Sequence, residues 1–198
     1  MNLQALVIPA VIMVSLTGLV LLISQDWRVS IIALAVQYGG IFILVSLSWS
    51  IEMAVVKLVA GWMAGAVLGV SLAGKPPDNP TRARQGLLNV LFRLLVAIIV
   101  GLMMFSLAPK FMVWLPMIAV EQVYGVLILI GFGLLHLGLN TQPLRVVFGI
   151  LTVLGGFEIF YAAVESSTLV AGLLAGLNLG LALLGAYLLN NPTVEDTL

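Results

Sequence analysis

Residues 146–164 read VVFGILTVLGGFEIFYAAV, and Glu158 is the only charged residue among them. The stretch is 19 residues long, close to the ~20 apolar residues that cross the hydrocarbon core of a bilayer as one α-helix. A carboxylate at the centre of such a helix costs roughly 2.5–3.5 kcal/mol on insertion scales. Because intramembrane carboxylates usually face a bundle interior or a water path, the stretch predicts a packed membrane helix with a functional glutamate.

The whole chain has the composition of a membrane protein. Of its 198 residues 62% are hydrophobic and 8% are charged, with a mean hydropathy of +1.23, whereas soluble domains carry about 25% charged residues. The eight basic residues form no extended patch, which argues against nucleic-acid binding. With no Cys, one His and no GxSxG, Walker A, HExxH or GxGxxG motif, we expect no catalytic centre, metal or cofactor in this chain.

Seven segments are long and apolar enough to span a bilayer, and lipid requires them to be helical because it offers no partner for free backbone groups. The first lacks a basic n-region and a small-residue cleavage site, so we expect a retained membrane helix. Residues 111–120 are short and contain Pro116, which predicts an interfacial or re-entrant piece, or an extension of the fifth span. The chain is thus predicted to be an all-α polytopic bundle with spans at residues 3–24, 29–49, 52–73, 87–108, 121–140, 143–164 and 168–190.

Basic residues at the loops predict the orientation. The side predicted to be outside receives Lys110, and also Lys57 if its side chain snorkels to that surface. The N-terminus is therefore predicted outside and the C-terminus inside. The Pro-rich basic linker at 74–86 separates three helices (1–73) from a fourth helix with its interfacial segment (87–120) and a three-helix half (121–190), and 191–198 form a polar tail. The side predicted to be inside receives Arg28, Lys75, Arg82, Arg84, Arg93 and Arg145.

Two glutamates and an asparagine are candidates for proton transfer. A carboxyl group in apolar surroundings can exchange protons near neutral pH, so Glu158 is either a proton-relay station or a hydrogen-bonded structural group. Glu165 follows seven residues later near the outer surface, where a solvated helix end is the simpler interpretation. Asn178, in the middle of the seventh span, is placed to hydrogen-bond Glu158 or a water chain, or to join two helices.

Two further candidates carry basic side chains. His136 lies near the inner end of the fifth span, as a boundary residue or as a proton relay. Lys57 either snorkels to the outer surface or is buried with an altered proton affinity. Gln37 in the second span is a plausible polar partner for Lys57 or Glu158.

Two spans carry glycine at every fourth residue, which lets helices approach closely. We interpret both stripes as ordinary helix packing; a homodimer face is the less favoured alternative. The stripes are Gly61, Gly65 and Gly69 in the third span, and Gly172, Gly176 and Gly180 in the seventh.

Residues 124–164 resemble the first two helices of the K-type small subunit of respiratory complex I and the C-type subunit of multisubunit cation/proton antiporters. The likeness lies in the short basic loop at 140–145 and the Gly-Gly-Phe-Glu core that ends at Glu158. Over its whole length the chain resembles the E-type membrane component of group 4 membrane hydrogenases, through LRVVFG at 144–149, Gln37 and Lys57. The K-type family has a second glutamate in its last helix, where this chain has Asn178.

The resemblance implies a non-catalytic membrane subunit of a redox-driven proton or sodium pump in a prokaryotic plasma membrane. Glu158 would be one station of a lateral proton path, with Asn178, Lys57, His136 and Glu165 as further proton-transfer candidates. Antiporter-like membrane subunits would be its partners, and iron–sulfur or other redox centres would lie in partner subunits. The alternatives are a scaffold subunit that anchors a larger complex and a stand-alone small transporter, although no inverted repeat is evident.

Overall fold

The computed structural model describes residues 3–73 and 87–190, so the predicted linker at 74–86 and tail at 191–198 lie outside the described residues. In the described part, seven helices are long and apolar enough to cross a membrane, and the prediction of an all-α multi-pass membrane protein is confirmed. They are α1 Leu3–Ile23, α2 Trp27–Val45, α3 Ile51–Leu72, α4 Leu87–Trp114, α5 Val120–Leu139, α6 Pro143–Val164 and α7 Thr168–Asn190.

The helix boundaries follow from local chemistry. The carboxylate of Asp26 caps α2 by accepting a hydrogen bond from the backbone N–H of Arg28 at 2.9 Å, which satisfies one of the free donors of the first turn. Pro143 begins α6, a position where its fixed φ and missing N–H are tolerated. The short connections before α2 and α6 lead the chain directly into the next helix, which runs antiparallel to the one before it.

Helices α2, α5 and α6 lie at the centre of the bundle. The most extensive contact is between α5 and α6, α1 packs against α2 and α5, and α3 packs against α2 and α7. The main buried core draws side chains from every helix except α4, including Leu34, Leu68, Leu129 and Ile159. Large apolar side chains also cover the outer surface, as with Val70 and Leu169. A helix bundle that is apolar both inside and outside is suited to lipid rather than water.

Helix α4 is longer than the sequence predicts. It continues past Ala108 and through Pro109 to Trp114, so the first part of the predicted interfacial segment belongs to this helix. Phe111 and Met112 pack against the buried cluster around Ala108 and Ile118, and this packing offsets the hydrogen bond that Pro109 removes. At 1.5 Å per residue, 28 residues span about 42 Å, more than the ~30 Å hydrocarbon core.

The two glycine stripes have different environments. A Cβ atom on Gly61 would overlap the ring of Tyr38, so α2 and α3 meet closely there, as predicted. The α7 stripe makes no such contact within the described part of the chain: apart from its own helical surroundings, nothing lies within 4 Å of a Cβ placed on any of the three glycines. Helix α7 packs through a neighbouring face instead, formed by Ala171, Leu174, Asn178, Ala182, Gly185 and Ala186.

Candidate functional site

Glu158 lies on α6 next to two glycines where this helix packs closely against its neighbours. A Cβ atom on Gly155 would meet the side chain of Ile41 at 2.5 Å, and one on Gly156 would meet the backbone oxygen of Val126 at 3.1 Å. The two glycines that precede Glu158 therefore allow α2 and α5 to pack against α6. This close packing excludes lipid from the position of the carboxyl group, whose residue is 1% exposed.

The partner of Glu158 is Lys57. The Lys57 ammonium Nζ lies 3.0 Å from Glu158 Oε1, and the two side chains are 1% and 0% exposed. The snorkelling alternative for Lys57 is therefore wrong, because the side chain turns into the bundle towards α6. Two opposite charges in this low-dielectric setting interact far more strongly than they would in water.

Asn178 and Tyr38 extend the pair into a network across four helices. Asn178 Nδ2 donates to the same Glu158 Oε1 at 2.7 Å, the contact that was one of the predicted alternatives. The Tyr38 hydroxyl donates to Asn178 Oδ1 at 2.7 Å. Asn178 and Tyr38 are both 0% exposed, so α2, α3, α6 and α7 each contribute one buried polar side chain.

The other carboxylate oxygen, Glu158 Oε2, is also buried but makes no hydrogen bond within the described part of the chain. Both hydrogen-bond donors thus bind one oxygen, Oε1. The second oxygen, Oε2, can accept a hydrogen bond from a further donor. A buried polar atom of this kind is uncommon in packed proteins and points to a functional role.

Sequence reasoning missed Tyr38. It identified the neighbouring Gln37 as the polar residue of the second span, although a buried tyrosine also needs a hydrogen-bond partner. The available signal was a tyrosine in mid-span whose ring could occupy the space left by a glycine on another helix.

Gln37 does not bind Lys57 or Glu158. Its Oε1 lies 3.5 Å from Thr152 Oγ1, and the Thr152 hydroxyl donates to the backbone oxygen of Phe148 at 2.8 Å. This contact joins α2 to α6 about one and two-thirds turns before Glu158, on a different face of α6. Gln37 Nε2 has no hydrogen-bond partner among residues 3–73 and 87–190.

His136 belongs to a separate cluster at the other end of α6. Its ring is hydrogen-bonded to the backbone of Arg145, which lies 13 residues, or about 20 Å, before Glu158 along the helix. Arg93 donates to the backbone oxygen of Leu22 at 2.9 Å and to Asn140 Oδ1 at 3.0 Å. This guanidinium thus binds the C-terminal ends of α1 and α5, where a cation is favoured. The arrangement supports the boundary interpretation of His136.

Glu165 lies at the exposed end of α6. Its Oε1 accepts a hydrogen bond from the Ser166 backbone N–H at 3.2 Å, and its backbone oxygen accepts one from Trp49 Nε1 at 2.8 Å. It is seven residues, or about 10 Å along the axis, from Glu158. The structure therefore brings Lys57, Asn178 and Glu158 together and leaves His136 and Glu165 outside this group.

The network can hold and exchange a proton without a metal. Moving one proton from Lys57 to Glu158 converts the ion pair into a neutral pair with the same net charge, so the two states differ less in solvation than isolated charges would. Among the described residues no group of three or more His, Cys, Asp or Glu side chains is arranged to hold a metal ion.

Fold and site together define a multi-pass membrane protein, with seven membrane-length helices over residues 3–73 and 87–190 and a buried, hydrogen-bonded Lys–Glu pair. No protein-family model, curated protein or solved structure matches the chain.

Proposed function

We propose that this chain is a non-catalytic membrane subunit of a redox-driven proton- or sodium-translocating complex of the complex I and membrane hydrogenase type. Glu158 is a station in a lateral intramembrane proton path, with Lys57 as its charge partner. The observation that carries the proposal is the ion pair between Lys57 and Glu158 at 3.0 Å inside an apolar bundle.

The energetics of the pair support a role beyond stability. Desolvating two charges costs several kcal/mol per ion, and apolar side chains of similar volume are often as stable or more stable in their place. Bundle stability alone therefore gives little reason for a lysine and a glutamate at these positions. Intramembrane ionisable residues that face a bundle interior typically lie on proton or ion paths.

The position of the pair supports a path that needs partner subunits. Lys57 is six residues from the start of α3 and Glu158 is six residues from the end of α6, so each lies about 9 Å from the same end of the bundle. Towards the other end, the basic cluster of Arg93 and Arg145 opposes the passage of a cation. A lateral transfer to antiporter-like membrane subunits, as the family resemblance implies, accounts for this asymmetry.

The same proposal includes the orientation and the location. The positive-inside rule assigns Arg28, Arg93 and Arg145 to the cytoplasmic side of a prokaryotic plasma membrane, with the N-terminus outside. The Lys57–Glu158 pair then lies in the outer half of the bilayer. Iron–sulfur or other redox centres belong to partner subunits.

Purification in gentle detergent, followed by mass spectrometry of the copurifying proteins, tests the partner part of the proposal. We expect antiporter-like membrane subunits together with redox proteins. A chain that purifies alone or as a homo-oligomer contradicts the proposal and favours the stand-alone transporter.

Ion pumping by the reconstituted complex tests the role of Glu158. Glu158→Gln is expected to preserve assembly and to lower coupled pumping by roughly 100-fold or more, in the range of a lost general acid–base group. Glu165→Gln is the matched control, since its exposed carboxyl group lies on the same helix outside the network. Unchanged pumping in Glu158→Gln would contradict the relay role.

One observation favours a scaffold function as the second candidate. The glycine face of α7 has no neighbour within the described part of this chain, and small residues allow a second membrane helix to approach closely. If the chain is only a scaffold, Glu158→Gln leaves pumping unchanged while Gly176→Leu prevents assembly of the complex.

A further inference from the structure

The ring of Tyr38 fits against α3 because Gly61 has no side chain. The ring lies against the backbone of Gly61 in α3, one helical turn after Lys57, and a Cβ atom on Gly61 would overlap the ring. Gly65, the next glycine of the same stripe, has its nearest neighbour, Ile31 Cγ2, at 4.0 Å from an added Cβ. The close contact is therefore specific to Gly61 and fixes the ring of Tyr38.

The carboxylate of Glu158, which only accepts, and the hydroxyl of Tyr38 together fix which way the amide of Asn178 faces. A tyrosine O–H donating at 2.7 Å requires an acceptor, and it meets Asn178 Oδ1. The amide nitrogen then points to Glu158 Oε1, also at 2.7 Å. The reversed amide would place two oxygens against each other at Glu158 and would leave the hydroxyl without an acceptor among the described residues.

Amide orientation and the charge on Glu158 are coupled. With Nδ2 facing it, Glu158 Oε1 receives hydrogen bonds from Lys57 and Asn178, and both stabilise the ionised form. A protonated Glu158 would instead need an acceptor, which the reversed Asn178 amide or a neutral Lys57 amine provides at this position. The titratable group that contacts Glu158 is Lys57 from α3; Tyr38 from α2 is the other titratable group of the network and contacts Asn178, while α7 contributes the amide.

We propose that Tyr38, seated on Gly61, is a positioning residue that fixes the Asn178 amide and so holds Glu158 in its ionised, Lys57-paired state. Its functional meaning rests on the proposed relay: Tyr38 sets how readily the station accepts a proton. Tyr38 does so without contacting the carboxyl group, through Asn178.

Solid-state NMR of the full chain in lipid tests the proposal directly. The probes are the dipolar coupling between Asn178 ¹⁵Nδ2 and Glu158 ¹³Cδ, and the ¹³Cδ chemical shift, which separates carboxylate from carboxylic acid. Glu158→Gln assigns both signals. In the unsubstituted protein we expect a strong coupling and a carboxylate shift.

Tyr38→Phe removes only the hydroxyl group. We expect a weaker coupling and a roughly tenfold rise in the ratio of protonated to ionised Glu158 at fixed pH, the size expected when a charged group loses a hydrogen bond. An unchanged coupling together with an unchanged chemical shift overturns the proposal.

Gly61→Ala and Gly65→Ala test whether the contact with Gly61 holds the Tyr38 ring in place. Gly61→Ala should change both signals in the same direction as Tyr38→Phe, and Gly65→Ala should leave them as they are. Equal changes in the two glycine variants overturn the assignment of Gly61. Because these NMR signals do not depend on pumping, they test the role of Tyr38 separately from the relay. The relay itself is tested by the pumping assay of Glu158→Gln.

Discussion

Lys57 and Glu158 are separated by 101 residues of sequence and by 3.0 Å in space. The pair joins α3 to α6, two helices that are not among the closely packed helix pairs of the bundle. The contact between them therefore depends on the reach of the two side chains rather than on close packing of their helices. Breaking or replacing this pair gives the most direct test of what the network contributes to the fold.

We expect Lys57→Met to destabilise the protein by roughly 3–5 kcal/mol, because it leaves the Glu158 carboxylate buried without its counter-charge. The double variant Lys57→Met/Glu158→Leu removes both charges and should recover most of this loss. Unfolding of the full chain in mixed detergent micelles measures both, together with the single variant Glu158→Leu. A double variant as unstable as the sum of its single variants would show that the charges are not coupled.

Gly133 and Gly138 on α5 offer a matched pair for helix packing. A Cβ atom on Gly133 would meet the backbone nitrogen of Val153 at 2.8 Å and the backbone oxygen of Gly149 at 3.0 Å. Gly133→Ala should therefore push α5 and α6 apart and cost roughly 1–3 kcal/mol. Gly138 has no described neighbour within 4 Å of its Cβ position, so Gly138→Ala should preserve or slightly raise stability.

The same unfolding assay compares the two alanine variants. Equal losses of stability in both would mean that the contact of α5 with α6 does not depend on Gly133. A loss only in Gly138→Ala would contradict the packing of these two helices as described.

The seven helices could be predicted from the sequence because each needs only a run of apolar residues, a signal that is local. Lys57 shows where this reasoning stops. Its position five residues inside a span permitted both snorkelling and burial, and only the packing of α3 against α2 and α7, which brings Lys57 within reach of Glu158, decides between them. The glycine stripes show the same limit, since identical spacing on α3 and α7 gives one close contact at Gly61 and none at Gly176 within the described residues.

Arg93 should stabilise the ends of two helices. It donates to the backbone of Leu22 in α1 and to the side chain of Asn140, the C-cap residue of α5. Arg93→Gln should cost roughly 1–3 kcal/mol, because carbonyl oxygens buried near it lose a charged donor. Hydrogen exchange should become faster in the last turns of α1 and α5.

Arg28→Gln is the control for Arg93. This arginine is exposed and contacts the ring of Trp27, with 5.2 Å between its Cζ atom and the ring centroid. We expect a stability change within about 0.5 kcal/mol, as for most surface substitutions. Equal exchange rates at the ends of α1 and α5 in the two variants would contradict the capping role of Arg93.

Gly176 and Gly185 lie on different faces of α7. Substitutions at these two positions distinguish packing of α7 within the chain from packing of α7 against a partner. A Cβ atom on Gly185 would meet Val147 Cγ2 at 2.9 Å and Leu68 Cδ2 at 3.1 Å, whereas Gly176 has no described atom within 4 Å. Gly185→Leu should therefore destabilise the isolated chain by roughly 1–3 kcal/mol or more. Gly176→Leu should leave its unfolding unchanged, since its side chain would extend away from the bundle.

If a partner helix packs on the glycine face, Gly176→Leu lowers the yield of the assembled complex without changing the stability of the chain. An unchanged yield would mean that this face contacts lipid only.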